Sequence, residues 1–272
     1  MMIYGVEAYS LSAPMTPGTL RYVGSGSTAI NFLTADNNVL TIHRNGTGIS
    51  PSGWVVDSTV FVRLSHSVDE STSMVLDEQG MILGRFRLNR GDNGVDLKLH
   101  QGQLPTLLGL TAVLAAQNRD TGLYGSLQHI VQGNDLTPFA YFMAQLETWY
   151  TGGMPQWDGI IGGGPGLTPS HDDMLIGMLF CAHRLASIPF GAKCLLPATL
   201  PLAKLTTSVS MGYLQQARDG YFSAPLLSLL LTPTSELTTS VAQFIGHGHF
   251  SGADTLLGIW LFMVFMDQKK TI

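Results

Sequence analysis

Two glycine-rich segments in the second half of the chain carry the residue types that chemistry on a small anion needs. Gly164-Pro165-Gly166 is followed by Ser170, Asp173, Leu175 and Gly177; Gly246-His247-Gly248 is followed by Ser251, Asp254, Leu256 and Gly258. From serine to glycine the two runs keep one offset, so they form a weak internal repeat. Each reads as a glycine loop running through Ser-x-x-Asp into an apolar helix, with the serine as N-cap and the acid three residues on as in a capping box. Glycine lets the backbone approach a ligand closely, and free N–H groups at a helix start favour negative charge. The two loops are therefore expected to face one another across a shared pocket. Gly164, Gly166, Thr168, Ser170, Ser251 and Gly252 are the anion-binding candidates. No Walker lysine and no strand-borne dinucleotide fingerprint accompanies them, so nucleotide binding is not indicated.

The adjacent acids Asp172 and Asp173 point about 100° apart on a helix, so one can cap while the other faces a ligand. Asp173 and Asp254 are the candidate catalytic acids, and His171, beside them, is a candidate general acid or base. A divalent metal held by carboxylate and imidazole would draw on Asp172, His247 and His249, while no cofactor is firmly implied. Arg44, in the glycine- and hydroxyl-containing stretch His43 to Trp54, is the guanidinium that would contact a carboxylate or phosphate in bidentate fashion. His183 reads as a satisfied core or surface histidine, and Tyr213 to Leu227 as a helix, a break and a second helix that pack or line a pocket.

These residues must be held by two kinds of element. From Arg21 to His100 short Val-, Ile-, Thr- and Phe-rich runs alternate with turn residues, the pattern of strands. Ala29 to Leu33 and Val39 to His43, joined through Asp36-Asn37-Asn38, read as a hairpin. Trp54 to Leu64 and Met74 to Leu88 continue the series toward an antiparallel sheet or small barrel of five to seven strands. Beyond residue 102 the period becomes helical, with helices expected at Leu104–Gln117, Leu136–Tyr150, Asp172–Ala186, Lys204–Arg218, Pro225–Leu231, Glu236–Phe244 and Asp254–Met266. Met174 to Phe180 and Leu256 to Met266 are apolar all round, as buried central helices are. The expected fold class is α+β, with a β domain over 1–102 and a helical domain over 103–272 carrying the glycine loops.

Composition bounds the function. With 14 Lys+Arg against 19 Asp+Glu the net charge is −5, charged residues are only 12% and hydrophobic residues 45% of 272. No basic cluster suits a nucleic-acid backbone. The longest apolar run, Leu256 to Met266, is 11 residues, short of the roughly 20 that cross a bilayer. The first fourteen residues, with Glu7 and no basic start, do not read as a signal peptide. Cys181 and Cys194, both in apolar stretches, read as buried inert thiols, and a cytoplasmic location is expected. The apolar excess beyond two central helices is expected at subunit interfaces.

The Gly164-Pro165-Gly166-Leu167-Thr168-Pro169-Ser170-His171-Asp172-Asp173 run, Ser210 with Tyr213, Gly220-Tyr221-Phe222, and Ser251 to Gly258 resemble the signature of a family from allantoin catabolism. That family includes a subunit of oxamate carbamoyltransferase. Ala29-Ile30-Asn31, Leu40 to Arg44 and Gly53-Trp54 extend the resemblance into the strand half. The resemblance implies a place in the exchange of oxalurate plus phosphate with oxamate plus carbamoyl phosphate. It also implies two other carbamoyltransferase subunits as partners, and small anions as ligands. The chemistry needs pockets for phosphate and carboxylate, and donors that polarise the carbamoyl carbonyl. The Ser-Thr-Arg-Thr phosphate loop of single-chain carbamoyltransferases is absent from the sequence. The alternative is a non-catalytic structural or regulatory subunit that docks on the catalytic partners.

Overall fold

A computed structural model describes residues 1–100, 102–185, 191–246 and 248–270. The fold is α+β, with strands confined to the first 100 residues and helices dominating the rest. Two compact units result: Met1–Lys98 with Tyr221–Pro225, and Leu99–Gly220 with Leu226–Ile272. A single boundary at residue 102 does not describe the return of Tyr221–Pro225 to the first unit. Phe222 donates its N–H to Leu97 O at 3.1 Å, Ala224 donates to Ile49 O at 2.9 Å, and Lys98 bridges Tyr221.

Eleven strands build the first unit. They are β1 (Met2–Gly5), β2 (Ala8–Ser10), β3 (Gly18–Thr19), β4 (Arg21–Ser25), β5 (Ala29–Leu33), β6 (Val39–Arg44), β7 (Gly53–Val56), β8 (Met74–Asp77), β9 (Gly80–Leu83), β10 (Phe86–Asn89) and β11 (Gly94–Val95). They form a five-stranded sheet in the order β1-β10-β9-β8-β3 and a six-stranded one in the order β11-β2-β7-β6-β5-β4. Both sheets are mixed, because β1 runs parallel to β10, β11 to β2 and β6 to β7. The expected β5–β6 hairpin forms, with Ala29 opposite His43 and Leu33 opposite Val39. Its turn places Asn37 at φ 59°, a conformation that asparagine tolerates better than most residues.

The stretch read as strand from Trp54 to Leu64 divides instead. β7 ends at Val56, Asp57 accepts the Thr59 N–H at 2.8 Å, and α1 (Ser58–Ser65) follows. β-branched residues hid this helix, yet Val60, Phe61 and Leu64 are its buried residues, at helical spacing. They join Ile30, Phe32, Ile42, Trp54, Leu83 and Phe86 in one core, so the helix is held by burial that outweighs the weak helix propensity of its sequence.

The second unit contains α2 (Leu107–Leu114), α3 (Leu127–Gly133), α4 (Ala140–Tyr150), α5 (Ser170–Ala182), α6 (Leu202–Leu205), α7 (Ser208–Arg218), α9 (Leu237–Ile245) and α10 (Ser251–Lys270), while α8 (Ala224–Ser228) starts in the returning segment. α3, capped by Ser126 on the His129 N–H, falls where no helix is expected from sequence. The single helix expected over Lys204–Arg218 is two, broken at Thr206, where the backbone is extended and Thr207 caps α7. No helix among the described residues is long and apolar enough to cross a membrane. Cys181 is buried, and burial pushes its thiol far up, whereas Cys194 is exposed in the 3-10 turn Ala192–Cys194. The reading of both cysteines as buried therefore holds for Cys181 alone.

α5 and α10 pack directly against each other, and the sequence repeat explains how. A Cβ on Gly177 would lie 2.2 Å from Thr255 O, and one on Gly258 would lie 2.0 Å from Met174 O. These contacts are the same under the repeat, since Met174 corresponds to Thr255 and Gly177 to Gly258. Two backbones thus touch through paired glycines, and almost every side chain from Ser170 to Ala182 is buried.

Candidate functional site

The starts of α5 and α10 lie together, and the acids cross over. Asp173 of α5 is in reach of the Ser251 hydroxyl of α10, and Asp254 of α10 lies beside the Ser170 hydroxyl of α5. Thr168, in the loop before α5, shares a hydrogen bond with Ser251 at 2.8 Å. The shared placement of the two loops expected from the repeat is therefore present at these residues. The capping role is not. Pro169 occupies the position before α5 with no side-chain cap bond, and both serines are first residues of their helices. Each acid turns toward the neighbouring helix instead of its own serine.

The loop geometry follows from its glycines. Gly164 has φ +121°, and a Cβ there would meet the Ser170 backbone N at 2.4 Å, so only glycine fits. The His171 N–H goes to Gly163 O at 2.9 Å, and the Asp172 and Asp173 N–H groups go to Pro169 O at 3.0 and 3.1 Å. The Asp254 N–H goes to Phe250 O at 2.9 Å. Several donors expected to cradle an anion are thus occupied by loop carbonyls. Gly252 packs against α9, since a Cβ would meet Phe244 O at 2.4 Å, whereas Gly166 has open space around its Cα.

The acids differ in environment. Asp172 is fully buried and accepts the Gly162 N–H at 2.7 Å, the Ser210 hydroxyl at 2.5 Å and the Thr206 hydroxyl. It anchors the loop to the start of α7. Burial pushes the Asp173 carboxyl well above the usual carboxylate range; the charges of Asp254 and Asp172 push the same way, and the Ser251 and Thr168 hydroxyls oppose them. Asp254 is also raised by burial, against the pull of the Ser170 hydroxyl, the Gly122 N–H and His171. Ser170 Oγ nevertheless makes no well-formed hydrogen bond. It and Asp173 Oδ2 are buried polar atoms without a partner among the described residues. Such atoms each cost about 1–3 kcal/mol unless something binds them.

His171 sits at the same helix start with both ring nitrogens engaged. Nδ1 faces Ile160 O at 2.9 Å and Nε2 faces the Tyr124 hydroxyl at 2.8 Å. Since a carbonyl only accepts, Nδ1 donates to Ile160 O; in the neutral ring Nε2 then accepts from the Tyr124 hydroxyl, and in the charged ring it donates to it. The ring stacks on Tyr124 and meets Phe142 edge-on. Arg44 lies at the end of β6, in the first unit. His249 precedes α10, its ring edge-on to Phe250 at 4.2 Å. His247 lies outside the described residues. Among the described residues no three His, Cys, Asp or Glu side chains are grouped as a metal would require.

Three contributors give no signal in the sequence. Gly122 donates its N–H to both Asp254 oxygens at 3.1 and 3.3 Å, Tyr124 holds His171, and Arg119 donates from Nη2 to His249 O at 2.8 Å. They act through one amide, one hydroxyl and one guanidinium in a segment without periodicity. His183, read as a satisfied histidine, accordingly faces Ala217 O and Arg218 O at the end of α7, both at 3.1 Å.

Residues 160–263 match the family model described as oxamate carbamoyltransferase subunit AllH. The match begins just before the first glycine loop and ends within α10, so it contains both helix starts. Over that segment the chain is similar to this family, in line with the resemblance of the two loops. No solved structure matches the chain.

Proposed function

From the match of residues 160–263 to a family named for a subunit of oxamate carbamoyltransferase, we propose that the chain contributes active-site residues to that enzyme. The reaction is attack of a phosphate oxygen on the ureido carbonyl of oxalurate. The bond from that carbon to the oxamate nitrogen breaks, the nitrogen takes up a proton as oxamate leaves, and carbamoyl phosphate forms. The observation that carries the reading is the pair of buried, unpartnered atoms, Ser170 Oγ and Asp173 Oδ2, where two helix starts converge inside the family segment. Helix starts favour developing negative charge. Asp173, whose carboxyl burial pushes up, is suited to donate a proton or hydrogen bond, and Asp254, oriented by Gly122, to accept one.

Ser170, Ser251, Thr168 and the Gly164–Gly166 backbone line the ligand-binding part, while His171, Asp172 and His249 are engaged elsewhere within the same unit. A subunit family implies other subunits, and Leu108 and Leu231, 81% and 74% exposed, offer apolar surface for docking them. The second reading, a subunit that only supports the catalytic partners, is favoured by the engagement of Asp172, both His171 nitrogens and the first-turn N–H groups within the chain.

Reconstitution with the partner subunits separates the two. Oxalurate phosphorolysis is measured for Asp173→Asn and Asp254→Asn, with assembly followed by size-exclusion chromatography. Loss of turnover in an intact assembly supports the catalytic reading; undiminished turnover of both variants supports the structural one.

A further inference from the structure

The segment from Arg119 to Tyr124 is tied to every part of the paired helix starts. Arg119 reaches the loop before α10 through His249 O, Gly122 reaches Asp254 of α10, and Tyr124 reaches His171 of α5. The segment is itself braced. The Thr121 N–H and hydroxyl both donate to Gly125 O at 2.8 Å, the Tyr124 N–H donates to Thr121 Oγ1 at 2.9 Å, and Asp120 bridges Ser126. The Tyr124 ring is clamped between Phe139, at 4.7 Å, and His171. Gly122 lies directly on the buried Ser170 hydroxyl: a Cβ there would sit 2.0 Å from Ser170 Oγ and 3.2 Å from Asp254 Oδ2.

We propose that Arg119, Gly122 and Tyr124 form a strap whose three tethers set the separation and orientation of the two helix starts, making them positioning residues for the reaction assigned above. The proposal rests on that functional reading. Its logic is geometric. α5 and α10 already meet through Gly177 and Gly258, further along the helices; at the starts themselves the strap adds ties to Asp254 and His171 through residues two apart. A rigid turn that spans both helices holds reacting groups in register better than two independent contacts. Glycine at 122 is the residue that permits the strap to approach Ser170 without displacing it.

The test uses the reconstituted complex and the full chain. Tyr124→Phe removes one hydroxyl and leaves the ring stack, and it is expected to lower kcat for oxalurate phosphorolysis by about 10-fold or more with a smaller change in KM. Arg119→Met is expected to act in the same direction. Gly122→Ala, whose Cβ strikes Ser170 Oγ, is expected to lose about 100-fold. Since Gly122→Ala can fail to fold, Tyr124→Phe, which keeps the stacking, carries the decision. In the 15N-histidine-labelled full chain, the signal lost in His171→Gln identifies His171, and Tyr124→Phe should shift its Nε2 resonance. A kcat for Tyr124→Phe and Arg119→Met within about twofold of wild type, while Asp254→Asn abolishes turnover, overturns the strap and leaves the catalytic reading standing. If neither Asp173→Asn nor Asp254→Asn lowers turnover, the catalytic reading fails, and the strap is judged by the resonance alone: an unmoved Nε2 signal overturns it too.

Discussion

Burial pushes the Asp173 carboxyl well above its ordinary pKa of 3.8, and this has a defined sign in stability. The folded state keeps a proton that the unfolded chain releases, so between 3.8 and the raised folded value stability falls as pH rises. Asp254 adds a contribution of the same sign. Asp77 has the opposite sign: its hydrogen bonds from Arg87 hold it below 3.8, so its contribution is lost as pH falls through that depressed value. Asp173→Asn is neutral at every pH. Relative to wild type it should therefore become progressively more stable as pH rises from 3.8 toward the raised folded value, read from urea midpoints at successive pH; a difference independent of pH contradicts the assignment. Asp172→Ala should behave otherwise. It strips the acceptor from the Gly162 N–H and two hydroxyls, and a loss of about 3 kcal/mol is expected in denaturant titration. A cost below about 1 kcal/mol would show that water replaces the carboxylate there.

Among the elements, the α5–α10 pair shows why part of the site is legible in sequence and part is not. Ser-x-x-Asp followed by an apolar helix occurs twice, so the acids and the helices they open can be found without coordinates. What the spacing misassigns is the direction of each contact. Ser170 reads as its own helix's cap, but Pro169 takes the cap position and the serines and acids pair across helices. The Asn-containing hairpin turn at Asp36 to Asn38 is legible because its backbone requirement is local. α1 is not, because Val60, Phe61 and Val62 favour a strand and only the shared core makes them helical. The parallel pairing of β6 with β7 depends on a short crossover through Gly46 and Gly48, both at positive φ, and leaves no periodic trace. The paired glycines of the helix contact give a sharper prediction. Gly177→Ala and Gly258→Ala should each cost about 2 kcal/mol, since each inserts a methyl against backbone. Together they should cost less than their sum, because the first already separates the helices at the place where the second would clash. Additivity within about 0.5 kcal/mol in equilibrium unfolding would falsify the shared contact.

At the scale of the whole molecule, the low charge of the chain finds part of its explanation in two cores, one between mixed sheets and α1, the other around α5 and α10. The units are not sequential blocks. The chain leaves the first at Lys98, builds most of the second, and returns for Tyr221–Pro225 before completing the second. Phe222 is 1% exposed and sits between two backbone hydrogen bonds, its own N–H to Leu97 O and that of Ala224 to Ile49 O. Lys98 lies over the Tyr221 ring at 4.4 Å. This short return therefore supplies a buried aromatic and an edge contact that residues 1–98 lack by themselves. Phe222→Ala should destabilise by about 3–5 kcal/mol. In hydrogen exchange the amides of Phe222 and Ala224 should lose protection first, with β6 and β7 accelerated more than α5 and α10. Supplying residues 1–102 as a fragment should reproduce that loss, because the fragment ends before the aromatic arrives. Full protection of β6 and β7 in both would mean that the first unit is complete without the return.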